Sequence, residues 1–167
     1  MNTKTPWPLW QNDQNLVSEE PRWVTYDQVV AIHSRQLRRF GGAPGLRDDG
    51  MLRSALERPV NKWHYEQVDL PDLGAAYAFG LAKNHAFVDG NKRAAFMTMV
   101  VFLRKNDVRF APDQAHATAI MISLAAGEVS EQSLARWIRD NWPPLDAGGL
   151  REEMASPGCT SIRQVRA

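Results

Sequence analysis

The sequence predicts an all-α protein, a compact bundle of about six helices. Three observations carry that expectation. Apolar residues recur at three- and four-residue spacings in segment after segment between Trp23 and Trp142. The segments are punctuated by residues that start or stop helices: Thr25, Ser130, Gly41, Gly127 and several prolines. One run, Ala94 to Leu103, is apolar on nearly every face and is too long to suit a strand, which makes it a helix at the centre of a core. No repeat, heptad array or low-complexity tract competes with a single bundle.

In chain order, residues 1–22 are polar and interrupted by proline, with Trp7 and Trp10 as their large apolar groups, and are expected to form a flexible arm. A Thr-x-x-Gln capping pattern at Thr25 and Gln28 opens a first helix through Val29, Ile32 and Leu37, stopped by Gly41-Gly42. "GGAPGLRDDG" reads as a loop, after which Met51, Leu52, Ala55 and Leu56 predict a short second helix ending at Pro59. Leu73, Tyr77 and Leu81, spaced by four with Pro71 just before them, predict a buried helix to Lys83. The central helix follows, then "PDQAHATAIMISLAAG", ended by Gly127, and "SEQSLARWIRDNW", opened by Ser130 and halted by Pro143-Pro144. Residues 143–167 carry no periodicity and are expected to be a flexible tail, so the helical domain spans residues 23–142.

A chain of 167 residues is long enough for one core and short for two ordinary domains. Lysines and arginines number 20 against 19 aspartates and glutamates, so the formal charge of +1 gives no general attraction to nucleic acid or to an acidic membrane. The single cysteine, Cys159, excludes an internal disulfide. No apolar run reaches membrane-spanning length, and the N-terminus lacks a basic start and an apolar signal core; the expectation is a cytoplasmic protein with no membrane partner.

The chemistry concentrates in "NHAFVDGNKRAAF", Asn84 to Phe96, between the two most apolar helices. His85 ends one helix, Asp89-Gly90-Asn91 supplies a turn, and Lys92-Arg93 occupy the first turn of the next. A helix start carries free N–H groups and a positive dipole, so two cations there are unfavourable unless a polyanion sits among them. Gly90 allows close backbone approach to such an anion. His85 is able to take a proton near neutral pH, and Asp89 is a hard-oxygen ligand suited to the Mg²⁺ that accompanies ATP. Phe87 is expected to turn inward and anchor the loop. Base, metal ligand and anion cradle together suit transfer of a phosphorus-containing group to a hydroxyl.

Plainer readings stand beside this one. A histidine at a helix end is commonly a cap, a Gly-Asn pair a turn, and two cations a solvated surface. His85 and Asp89, four apart, could also be transition-metal ligands on one helical face, although Gly90 and Asn91 should break such a helix. His33, His64 and His116 are expected to be partly exposed, and Arg38-Arg39 to be a solvated last turn, with Arg39 as a lesser candidate for the phosphate site.

"HAFVDGNKR" resembles the His-x-Phe-x-Asp/Glu-Gly-Asn-x-Arg signature of the Fic/Doc family, and the lysine after the asparagine resembles its death-on-curing branch. The flanking stretches "GGAPGLRDDGMLRSALERP", "YEQVDLPDLGAAYAFGLAKNHAF", "AAFMTMVVFLRKNDVRF" and "AAGEVSEQSLARWIRDNW" are similar to that branch as well, so the resemblance covers about Trp23 to Trp142. It implies that His85 deprotonates an acceptor hydroxyl, Asp89 holds Mg²⁺, and Gly90, Asn91, Lys92 and Arg93 cradle the phosphates of ATP.

Three positions depart from the AMP-transferring members. Ala86 replaces a proline, Lys92 a glycine, and Phe96 an arginine that reaches the phosphates. The death-on-curing branch shares the last two, which implies a toxin that moves the terminal phosphate of ATP to a protein hydroxyl in the translation machinery, with a translation elongation factor as the candidate target. AMP transfer is the first alternative. A catalytically inactive antitoxin-binding module is the second, and the intact His85, Asp89, Asn91 and Arg93 argue against it. The family's inhibitory Ser/Thr-x-x-x-Glu-Gly/Asn helix has no counterpart in this sequence, which implies a separate antitoxin chain as partner.

Overall fold

The computed structural model describes residues 19–142. Residues 1–18 of the expected arm and the whole expected tail, with Cys159 and Pro143-Pro144, lie outside the described residues. Six helices and no named strand make up what is described: α1 Tyr26–Phe40, α2 Asp49–Tyr65, α3 Leu70–Asn84, α4 Asn91–Lys105, α5 Gln114–Ala126 and α6 Glu131–Asp140.

α3 is the axis of the bundle. It packs against α2, α4, α5 and α6, and Leu73, Ala75, Ala76, Tyr77, Ala78, Leu81 and Ala82 along it are all buried. α4 lies beside it, contributing Met99, Phe102 and Leu103 to the same core, and α1 packs against α4 and α2. The Tyr77 hydroxyl donates to the Val24 carbonyl and accepts from the Val24 N–H, fixing the chain just before α1. Burial pushes the Tyr77 phenol up to about 12.

The expected capping box is present: Thr25 accepts from the Gln28 N–H, and the Gln28 side chain accepts from Thr25. A second box opens α3, where Asp69 and Asp72 cap each other's backbone and Pro71 sits inside the first turn, so this helix starts earlier than Leu73. Arg22, assigned to the arm from sequence, is fastened to the body by Asn106 and Asp107.

One boundary is corrected. α2 does not stop at Pro59 but runs on to Tyr65. Proline removes the hydrogen bond to the carbonyl four residues back and crowds that oxygen. Here the carbonyl is that of Ala55, and it lies against Gly80 of α3, where a Cβ would stand 3.2 Å from the oxygen. Gly80 leaves the displaced carbonyl room, and Leu52, Ala55 and Pro59 form a buried face on either side.

The far end of the bundle is closed by ion pairs. The buried Glu131 accepts from Arg58 at 2.7 Å and from Lys62 at 2.6 Å, tying α6 to α2. Arg139 grips both oxygens of Asp69 at 2.8 and 2.7 Å and reaches Asp72 at 2.8 Å, tying α6 to the start of α3. Among the described residues, no helix is long and apolar enough to cross a membrane.

Candidate functional site

The six residues between α3 and α4 form a loop whose two ends both take left-handed backbone. His85 closes α3 at φ 47°, ψ 44°, and Gly90 opens α4 at φ 77°. For a histidine this conformation costs on the order of 1–3 kcal/mol and persists only if its surroundings impose it.

The surroundings are visible. Asn84 donates to the Met51 carbonyl at 2.9 Å. The Ala86 carbonyl accepts from the N–H groups of Arg47 and Asp48 at 2.7 and 3.1 Å, and Val88 N–H donates to Gly45 at 3.1 Å, making one antiparallel bridge between Leu46 and Phe87. Asn91 then locks the loop from the other side, accepting from Phe87 N–H at 2.9 Å and donating to Phe87 carbonyl at 2.8 Å. The Phe87 ring is buried and lies flat on the His33 ring, with centroids 3.8 Å apart and planes 7° from parallel. His33 Nε2 donates to the Asp89 carbonyl at 2.8 Å; because the acceptor is a carbonyl, Nε2 carries the proton.

What remains for a ligand faces outward. His85, Asp89 and Lys92 are exposed. One Asp89 oxygen accepts from the Gly90 N–H, and the carboxylate stands 3.9 Å from Arg93, whose guanidinium also donates to the Gly41 carbonyl at 2.9 Å. Gly90 has no side chain, and nothing caps the free N–H groups of α4's first turn.

Asp89, Gly90, Lys92 and Arg93 therefore converge on the start of α4, with His85 at the opposite end of the same loop. Asn91 braces the loop through its two bonds to Phe87, and its Nδ2 keeps a second hydrogen beside the backbone N–H. Arg39 is exposed with its guanidinium over the Phe40 ring, as a solvated helix end would have it. His64 and His116 are exposed.

His33 is corrected, since it is buried rather than partly exposed. The helical metal face is not formed, because His85 to Gly90 are not helical, and no group of three or more potential ligands gathers among the described residues.

Three contributors escaped the sequence reading. His33 lies in register with Val29 and Gln36 on the buried face of α1, a phase that the chosen stripe of Val29, Ile32 and Leu37 obscured. Gly42, at φ 129°, borders the site, since a Cβ there would stand 2.6 Å from Asp89 Oδ2 and 3.1 Å from Arg93 Nη2. The signal was the doubled glycine, because a single one suffices to end a helix. Asn84 gave no signal in the sequence.

Fold and site together define a helical protein with an uncapped, cation-bearing helix start and an exposed histidine and carboxylate on one clamped loop. The model of the Fic/DOC family matches residues 23–103. The chain is 32% identical over 119 residues to "Protein kinase doc" of Escherichia phage P1, covering 71% of this chain and 94% of that protein. It is 44% identical over 78 residues to "Toxin Doc" of Mycolicibacterium smegmatis, covering 44% of this chain and 58% of that protein. The chain belongs to the Fic/Doc family, in its Doc branch.

Proposed function

We propose that this protein is the toxin of a type II toxin–antitoxin pair, a kinase-like enzyme that moves the terminal phosphate of ATP to a hydroxyl of a protein in the translation machinery. The observation that carries the reading is the start of α4, which joins free N–H groups, Lys92 and Arg93 to an exposed carboxylate on one turn. That arrangement is unfavourable for the bare helix and favourable with phosphates present. The names of the relatives, a kinase and a toxin, point the same way.

A lone exposed carboxylate fits Mg²⁺, which keeps waters and takes most of its ligands from phosphate, and does not fit a metal that needs a protein cage. Asp89 would hold it, and when bound it would neutralise charge on the phosphate oxygens. His85 takes the proton of the acceptor hydroxyl. The hydroxyl oxygen bonds to the γ-phosphorus, the bond from that phosphorus to the β–γ bridging oxygen breaks, and ADP leaves. The backbone N–H groups of α4, with Lys92 and Arg93, hold the phosphates in line. Leu46, paired with Phe87 in the bridge, and Val88, next to Phe87, are both exposed and apolar and suit contact with a protein substrate.

Terminal-phosphate transfer is preferred to AMP transfer for two reasons. Lys92 places a long cation on the cradle. Phe96 packs on the core beside Phe110, with ring centroids 6.5 Å apart, so no second cation reaches the phosphates from that position. ATP labelled on its γ-phosphate should label a protein in a bacterial extract, and ATP labelled on its α-phosphate should not. The reverse pattern means AMP transfer, and no label from either means an inactive antitoxin-binding module. Expression in a bacterial cytoplasm without an antitoxin should slow growth; normal growth with soluble, ATP-binding protein would remove the toxin reading.

A further inference from the structure

We infer that His33, a residue of α1 outside the motif, is a positioning residue that aims the Asp89 carboxylate. The inference rests on the reading of Asp89 as the residue that holds Mg²⁺ with ATP.

A buried histidine is commonly just part of a core, and His33 differs in where its contacts end. Its ring stacks on Phe87, its Nε2 donates to the Asp89 carbonyl, and a Cβ on Gly90 would stand 3.5 Å from that same nitrogen. All three partners belong to the loop and are 54 to 57 positions away in sequence. The burial of the ring and the length of its hydrogen bond leave the imidazole one orientation to serve.

The effect on the carboxylate follows from peptide planarity. The Asp89 carbonyl and the Gly90 N–H belong to one trans peptide, so they point in opposite directions. Holding the carbonyl toward α1 turns the N–H away from it, and that N–H is the donor to Asp89 Oδ1. His33 thereby fixes the peptide plane, the plane fixes the donor, and the donor fixes one carboxylate oxygen while the other is left for a ligand. The residue that closes the same helix, Gly41, holds Arg93 through its carbonyl. α1 thus grips both the carboxylate and the arginine of the cradle, and the grip on the carboxylate passes through one hydrogen bond.

Two substitutions in the full chain separate donor from ring. His33→Phe keeps the flat stack on Phe87 and removes the donor, whereas His33→Gln removes the ring and keeps an N–H within reach of the carbonyl. ATP affinity is measured by calorimetry with Mg²⁺ and with chelator, and amide exchange is followed in the ligand-free protein. In His33→Phe the gain in ATP affinity produced by Mg²⁺ should fall about tenfold, as for other residues that orient a metal ligand, while metal-free ATP binding changes little. Exchange at Gly90 should rise about tenfold, the size of change expected where a locking hydrogen bond is lost, with the amides of α5 unaffected. His33→Gln should recover most of the Mg²⁺-dependent gain even if it melts lower, a rescue that a merely structural role would not give.

A wild-type Mg²⁺ gain in His33→Phe overturns the proposal, as does loss of ATP binding equally with and without Mg²⁺ alongside exchange raised throughout the fold. If the unmodified protein shows no Mg²⁺ gain, the reading of Asp89 fails, and with it the proposal's functional half. The exchange at Gly90 then still decides whether His33 holds the loop.

Discussion

α3 and α4 begin a short distance apart in sequence and in opposite styles. Asp69 caps the first turn of α3, Asp72 returns the hydrogen bond, and Arg139 closes over both carboxylates. α4 begins with Gly90, has no side-chain cap, and carries two cations in its first turn where the dipole disfavours them. The other described helices resemble α3, with Thr25, Asp48, Asp113 and Ser130 each accepting from its own first turn. Each of those five starts thus satisfies a first-turn N–H from within the chain. The start of α4 has no side-chain cap and is held in place by a clamped loop, which is the arrangement expected of a site awaiting an anion.

The comparison is sharpest in what each region should lose when damaged. His85→Ala removes an exposed group and no packing. If His85 is the base, phosphoryl transfer should fall by about 10² to 10⁴ with little change in melting temperature. Transfer at the wild-type rate would take His85 out of the mechanism and leave the loop as an anion site only.

Glu131→Gln tests the opposite region. It removes the buried charge paired with Arg58 and Lys62 and leaves one acceptor oxygen for the two of them; breaking a buried pair costs about 3–5 kcal/mol, less here because Arg58 is about half exposed. A loss of roughly 2 kcal/mol, or about 5–10 °C in melting temperature, is expected. ATP affinity should be unchanged, and a parallel loss of binding would show that the two ends are coupled.

These two regions were not equally legible in the sequence. The motif residues could be read because turn and helix-start chemistry is local: His85, Gly90 and Lys92 lie where Asn84-to-Phe96 spacing puts them. The far clasp could not, because Arg139 and Asp69 are 70 residues apart and nothing local joins them. The same limit hid His33 and Gly42, which meet Asp89 from α1 and from the loop that follows it. The bracing bonds of Asn91 to Phe87 could not be read either, since no local rule says which backbone groups its side chain meets. Pro59 was read by the usual rule, and the exception needed Gly80 on a neighbouring helix to make room for a carbonyl.

Alkaline pH offers a probe of the satisfied region. Burial raises the Tyr77 phenol from 10.0 to about 12. For Lys62, burial opposes the charge, but the hydrogen bond and charge of Glu131 outweigh it, so its pKa is raised above 10.5. Both groups favour their protonated forms in the folded state. The stability they contribute is fully present below about pH 10 and is lost as pH rises through the folded values, toward 12 for Tyr77. Urea unfolding should therefore give a flat stability from neutral pH to about 10 and a decline of roughly 2 kcal/mol above it. Tyr77→Phe should reduce that decline, and an unchanged curve would show that the phenol is not its source.

The smallest effect is the one that bears most directly on the start of α4. Lys92 is exposed and sits beside the positive end of the helix dipole. Without a ligand it should destabilise the fold slightly, so Lys92→Glu should stabilise the ligand-free protein by about 0.3–1 kcal/mol, the usual value of a carboxylate in a first turn. In the presence of ATP the sign should reverse, because a carboxylate in the cradle repels the phosphates that the lysine attracts. Thermal melting with and without saturating Mg²⁺-ATP reads both signs in one experiment: ATP should raise the melting temperature of the wild type and fail to do so for the variant. A variant that is both less stable alone and equally stabilised by ATP would mean that Lys92 is an ordinary solvated cation, and the difference between the starts of α3 and α4 would then reside in Gly90 and Arg93.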